Sequence, residues 1–168
     1  MLNKLIGCCL LALSSVAFFA CDQFGLEDWR GNGQPTTRPK IALWSSMDSR
    51  QVLGERLPSR AVGAYSGLYD PQTNVLVSTI TYYNAGERVP SGSESLALPV
   101  VAAHLHRGAP GTNGPIVYSF PSLLSPIGGT VTLSEADEAL LLNNEFYVDV
   151  HAQIFPEAGE IRGTIMRQ

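Results

Sequence analysis

AVGAYSGLYDPQTNVLVSTITYY, residues Ala61 to Tyr83, holds two runs of small, β-branched and aromatic residues separated by a polar break. Ala61–Leu68 and Val75–Tyr83 alternate at period two, which sends successive side chains to opposite faces and marks strands. Between them Tyr69-Asp70-Pro71-Gln72-Thr73-Asn74 supplies Asp-Pro and Asn, residues that favour turns through fixed φ and local side-chain bonds. The stretch therefore predicts an antiparallel hairpin with a loop longer than two residues.

The same grammar extends in both directions. Ile41–Trp44 predicts a first strand. Val100–His106 predicts another, followed by the loop GAPGTNGP (108–115) and a strand over Ile116–Phe120. Phe146–Gln153 and Glu160–Met166 predict a last hairpin around Phe155-Pro156-Glu157-Ala158-Gly159. One helix interrupts the strands. Ser134-Glu135-Ala136-Asp137 has the form of an N-terminal cap with acids in the first turn, Leu140–Leu142 supply apolar weight, and Asn143-Asn144 is a natural stop. Six or seven short strands with one helix of about two turns predict an all-β domain, an antiparallel Greek-key sandwich or barrel. Neither an internal repeat nor a second domain is legible.

With 168 residues, 45% hydrophobic and 15% charged, the chain suits one globular domain with a real core. Its net charge of −4 and lack of any basic run exclude nucleic acid as a partner. Lys4 and the apolar run Leu5–Ala20 read as an export signal over residues 1–20, shorter than the roughly 20 apolar residues of a spanning helix. Phe18-Phe19-Ala20-Cys21 resembles a bacterial lipobox, which implies acylation of Cys21 (palmitate among the chains) and a membrane anchor in the cell envelope. Cleavage by ordinary signal peptidase is the alternative and would leave a secreted or periplasmic soluble protein. Cys8 and Cys9 leave with the signal, so Cys21 has no internal disulfide partner, and lipidation accounts for it. Residues 21–40, polar and Gly/Pro-bearing, read as a tether to a β domain over 41–168.

His104-Leu105-His106-Arg107-Gly108, then Asn113-Gly114-Pro115-Ile116-Val117, resemble the opening motifs of the CHRD (chordin) domain. Tyr147-Val148-Asp149-Val150-His151 and Gly159-Glu160-Ile161-Arg162-Gly163 resemble its closing motifs, with Asp149 where Asn is usual and Ala152 where Thr is usual. The turn after Pro156 is one residue longer than the family pattern. The resemblance implies an extracytoplasmic all-β module, with an outline like the immunoglobulin fold or the copper/zinc superoxide dismutase sandwich, and leaves activity open.

The three histidines of the chain all fall in these motifs. In a strand His104 and His106 share one face, about 6.6 Å apart along the chain, with Leu105 turned into the core. Phe146, Val148 and Val150 predict the core face of the later strand, leaving Tyr147, Asp149 and His151 on the other. If the two strands are neighbours, His104, His106 and His151 form a three-imidazole site suited to copper or zinc. Asp149, Glu160 and Arg162 would stand just behind it, where Arg162 could orient a carboxylate, bind an anion or form a structural salt bridge. The competing reading has the rings hydrogen-bonding the Gly/Pro loop, with no metal and no cofactor, in a module whose partner is another envelope protein. Nucleophilic catalysis has no support: G-x-S-x-G is absent and no catalytic residue stands out. Three histidines are too few for a dinuclear dismutase-like centre. Oligomeric state is not legible.

Overall fold

The computed structural model describes residues 37–54, 58–88 and 96–168. The predicted export signal, Cys21 and the tether up to residue 36 lie outside the described residues. Strands form where the sequence alternates: β1 (Ile41–Asp48), β2 (Val62–Asp70) and β3 (Val75–Tyr83), then β4 (Glu87–Arg88) and β5 (Leu96–Ala97) as a short ribbon. After them come β6 (Val100–Arg107), β7 (Ile116–Ser119), β8 (Ile127–Thr132), helix α1 (Glu135–Leu142), β9 (Phe146–Ala152), β10 (Ile161–Thr164) and β11 (Met166–Arg167).

The β2–β3 hairpin pairs without a slip from Val62↔Tyr83 to Asp70↔Val75. Its turn closes as the sequence predicts. The Asp70 carboxylate accepts from the Gln72 amide at 3.0 Å, and Asn74 takes a left-handed φ of 58° while its side-chain oxygen accepts from the Tyr69 hydroxyl. Helix α1 begins as expected too, with the Ser134 hydroxyl oxygen accepting from the Asp137 amide at 3.1 Å.

All the pairings are antiparallel, and the large sheet runs β7-β6-β9-β10-β1-β2-β3-β8, with β11 also on β1. Its two ends nearly meet: Tyr118 of β7 and Phe120 just beyond it pack so closely over β8 that a Cβ on Gly129 would lie 2.6 and 2.7 Å from their rings. The result is an all-β, nearly closed barrel with one helix. Tyr65, Tyr69, Leu76, Ile80, Leu105, Phe146, Val148, Val150 and Ile161 fill the inside.

Three expectations change. β8 and the β4–β5 ribbon were not legible, because Gly128-Gly129 and two-residue strands carry little hydrophobic signal. The last predicted strand is broken at Ile165, which is fully buried, so that β10 pairs with β9 and β11 pairs with β1. And β9 is buried on both faces, from Phe146 to Ala152. Its Tyr147, Asp149 and His151 face is covered by the 108–115 loop and by the turn at Pro156.

Candidate metal centre

β6 and β9 are direct neighbours, with His104↔Asp149 and Ala102↔His151 as register partners. Because a pleated strand turns alternate residues the same way, this register brings His104, His106, Asp149 and His151 together on one face. The His104 and His106 rings are 5.5 Å apart between centroids, and those of His104 and His151 are 5.0 Å apart. Leu105 points into the core, fully buried. The adjacency that sequence could not supply is present.

Asp149 sits in the middle. Its Oδ1 lies 3.4 Å from His104 Nδ1 and 3.1 Å from His151 Nε2, and its Oδ2 lies 3.1 Å from His106 Nε2. One ligand atom each from His104, His106 and Asp149 falls within 4.8 Å of the other two, a group that could hold a metal ion. His151, expected as the third ligand, is not part of that group; its Nε2 touches the group through Asp149 Oδ1.

The polar accounting at this centre is unusual. His104 Nδ1, His106 Nε2, His151 Nε2 and Asp149 Oδ1 are all buried, and none has a hydrogen-bond partner of acceptable geometry. Buried polar atoms nearly always have one. Meanwhile the outer nitrogens of two rings are committed: His106 Nδ1 lies 2.9 Å from the Gly114 carbonyl and His151 Nδ1 lies 3.0 Å from that of Pro156. A carbonyl only accepts, so both Nδ1 atoms carry hydrogen. In a neutral ring that leaves the Nε2 lone pair aimed at a carboxylate. Two lone pairs face each other unless a proton or a metal cation stands between them.

Charge follows the same geometry. Burial pushes the Asp149 carboxyl upward, but the three imidazoles around it outweigh burial and hold it far below the ordinary carboxylate range. Burial pushes His151 downward, yet Asp149 beside it and the Pro156 and Phe155 carbonyls raise it above an ordinary histidine.

Behind the rings lies a layer that the sequence reading only half identified. Tyr147 stacks flat on His106, with centroids 4.5 Å apart and planes 7° from parallel, and the Arg162 guanidinium caps the other side of Tyr147 at 3.4 Å. Arg162 donates to Asn113 Oδ1 at 2.8 Å and to the Thr112 carbonyl, while the Gly114 amide donates to the Tyr147 hydroxyl oxygen at 3.2 Å. Arg162 thus holds the loop whose carbonyl orients His106. Glu160 is placed elsewhere: its carboxylate is bonded to the Ser59 hydroxyl at 2.7 Å and the Gly86 amide at 2.7 Å. Tyr147 was legible as a member of the Asp149 and His151 face, but nothing in the sequence revealed its stacking.

Among the described residues no helix is long and apolar enough to cross a membrane. No curated protein and no solved structure matches the chain. A family model, the CHRD domain, matches residues 44–165, which takes in most of β1, all of β2 through β10 and all four members of the His/Asp cluster. With the motifs in place and well over half its length matched, the chain belongs to the CHRD domain family.

Proposed function

We propose that this CHRD domain is an exported, lipid-anchored binding module of the cell envelope, in which His104, His106, His151 and Asp149 hold one copper or zinc ion. The observation that carries the metal reading is the set of four buried, inward-facing ligand atoms without hydrogen-bond partners. Fixed Nδ1–H bonds to backbone carbonyls on two of the rings are the second shell that metal-binding imidazoles generally have. Three imidazole nitrogens and one carboxylate oxygen suit Zn²⁺ or copper, and the thiolate of blue-copper sites is lacking. The export signal and the lipobox-like Phe18–Cys21 support the anchor.

A second reading has its own observation. The Gly114 and Pro156 carbonyls are pinned by His106 and His151, so the rings also serve to fix two loops of a protein-interaction surface. Metal analysis of the purified chain beside the His104→Ala/His106→Ala and His151→Ala variants separates the two. One equivalent of metal, lost in the variants, is the expected result. A wild-type chain that stays metal-free after challenge with copper and zinc salts leaves the surface module alone standing.

A further inference from the structure

The outer face of the β1–β2–β3–β8 half of the barrel is without charge between its two ends. Its cross-strand rows read Met166, Trp44, Ser66, Thr79, Gly128, then Ala42, Leu68, Val77, Thr130, then Ser46, Ala64, Thr81. Charge enters only at the two ends, at Asp48 and Asp70. Asp70 lies 3.4 Å from Lys40 and Asp48 lies 3.4 Å from Arg50. Nine large hydrophobic side chains stand exposed among the described residues. Six of them, Trp44, Val62, Leu68, Val77, Tyr83 and Met166, lie on this face or its rim. A contiguous patch of this kind on a small domain marks an interaction surface.

We infer that this face lies against the neutral interfacial layer of the membrane that holds the anchor, a step that rests on acylation of Cys21 as proposed above. Three observations choose this occupant. First, the chain enters the domain beside the face. Arg38 donates to the Pro71 carbonyl at 3.2 Å, so the segment leading back to Cys21 departs from the Lys40–Asp70 end. The residues from 22 to 37 can span at most about 55 Å when fully extended, which keeps the domain at the bilayer surface. Second, four to five strands spaced by about 4.8 Å and four rows along them cover roughly 500 Å². A stable pair of proteins needs about 800 Å² per partner, whereas an anchored domain needs only a modest added contact because its local concentration is already high. Third, the composition is that of an interface: Trp44 and Tyr83 bring apolar bodies with polar tips, set among Thr and Ser hydroxyls, with no basic cluster that would require anionic lipid.

The test uses the acylated chain reconstituted in phosphatidylcholine vesicles with brominated acyl chains. Trp29→Phe leaves Trp44 as the single tryptophan reporter. The control is Trp29→Phe/Trp44→Phe/Val101→Trp, with its reporter exposed on β6, which β9 and β10 separate from β1 and β7 separates from β8. Trp44 fluorescence is expected to be quenched several-fold more than that of the control, and Leu68→Ser/Val77→Ser to reduce the difference. Equal quenching at the two positions overturns the inference. Self-association of the Cys21→Ser chain that Leu68→Asp abolishes also overturns it, since a second copy then covers the face. The mass of the Cys21 peptide reports separately: an unacylated cysteine ends the anchor reading and this one together, while an acylated chain with equal quenching ends this one alone.

Discussion

Asp149 stands where the family pattern has Asn, so a carboxylate oxygen replaces an amide group in the middle of three imidazoles. The exchange matters because an amide is neutral and could donate from its NH₂ to only one side of the cluster, whereas a carboxylate adds negative charge and offers both oxygens to a cation. Asp149→Asn is accordingly expected to weaken retention of copper or zinc by about 10–100-fold or more, the range for loss of an orienting or ligating group. Competition against a chelator of known affinity measures it, and unchanged retention would remove the carboxylate from the ligand set. The sequence placed Asp149 behind the site rather than in its centre, because alternation along one strand identifies a shared face without revealing what lies opposite. Glu160 offers a different check. Burial raises its carboxyl above the ordinary 4.5, outweighing the bonds from Ser59 and Gly86. The folded protein therefore holds this proton more tightly than the unfolded chain. Its contribution is fully present below 4.5 and is lost as pH rises through the raised value. Urea denaturation of wild type and Glu160→Gln across pH 4 to 7 is expected to show wild type losing ground relative to the variant as pH rises. A gap that stays constant would mean the carboxyl is not desolvated.

The elements differ in how plainly they were written. β2 and β3 alternate over nine residues each and were legible to within two residues, whereas β8, IGGTVT, was not. Gly129 is there because the Tyr118 and Phe120 rings occupy the place of a side chain, a constraint from the far end of the sheet that no local pattern encodes. Gly163 on β10 is a parallel case. A Cβ there would lie 2.6 Å from the Ser46 carbonyl and 2.9 Å from Met47 Cγ, both on β1, so the strand carries Gly to pass β1 closely. Gly163→Ala is expected to destabilise the fold by about 1–3 kcal/mol or more through overpacking against backbone that cannot yield. The midpoint of chemical denaturation reads this directly. Ser134→Ala removes the hydroxyl that caps α1 and should cost about 1 kcal/mol. A loss as large as that of Gly163→Ala would imply a role for Ser134 beyond the cap.

At the scale of the whole molecule, the site exists because strands distant in sequence are neighbours. β6 reaches β9 only after β7, β8 and α1 have been laid down, and β10 then pairs along the other edge of β9 to bring Arg162 over Tyr147. The resulting stack of His106, Tyr147 and Arg162 ties β10 to a loop some fifty residues earlier, since Arg162 also binds Asn113 and the Thr112 carbonyl. Period two announced the strands, but their order comes from closing the barrel, which is why the ring cluster could be suspected from sequence and not located. The arginine is buried, and burial pulls its pKa below that of an ordinary guanidinium, opposed by Tyr147 and Asp149. It is a cation held mostly by neutral groups. Replacing it by Met, similar in reach but without donors or charge, should cost about 2–4 kcal/mol from the charged hydrogen bonds and the cation–π contact. It should also speed hydrogen exchange in the 108–115 loop. Because that loop supplies the Gly114 carbonyl to His106, Arg162→Met is expected to lower metal retention as well, by about 10-fold. Arg162→Lys should restore little of either, since an ammonium cannot make both bonds while lying flat on the tyrosine. Loop exchange that is unchanged in Arg162→Met would show that β7 and the Tyr147 hydroxyl hold the loop alone, and that the stack only fills space.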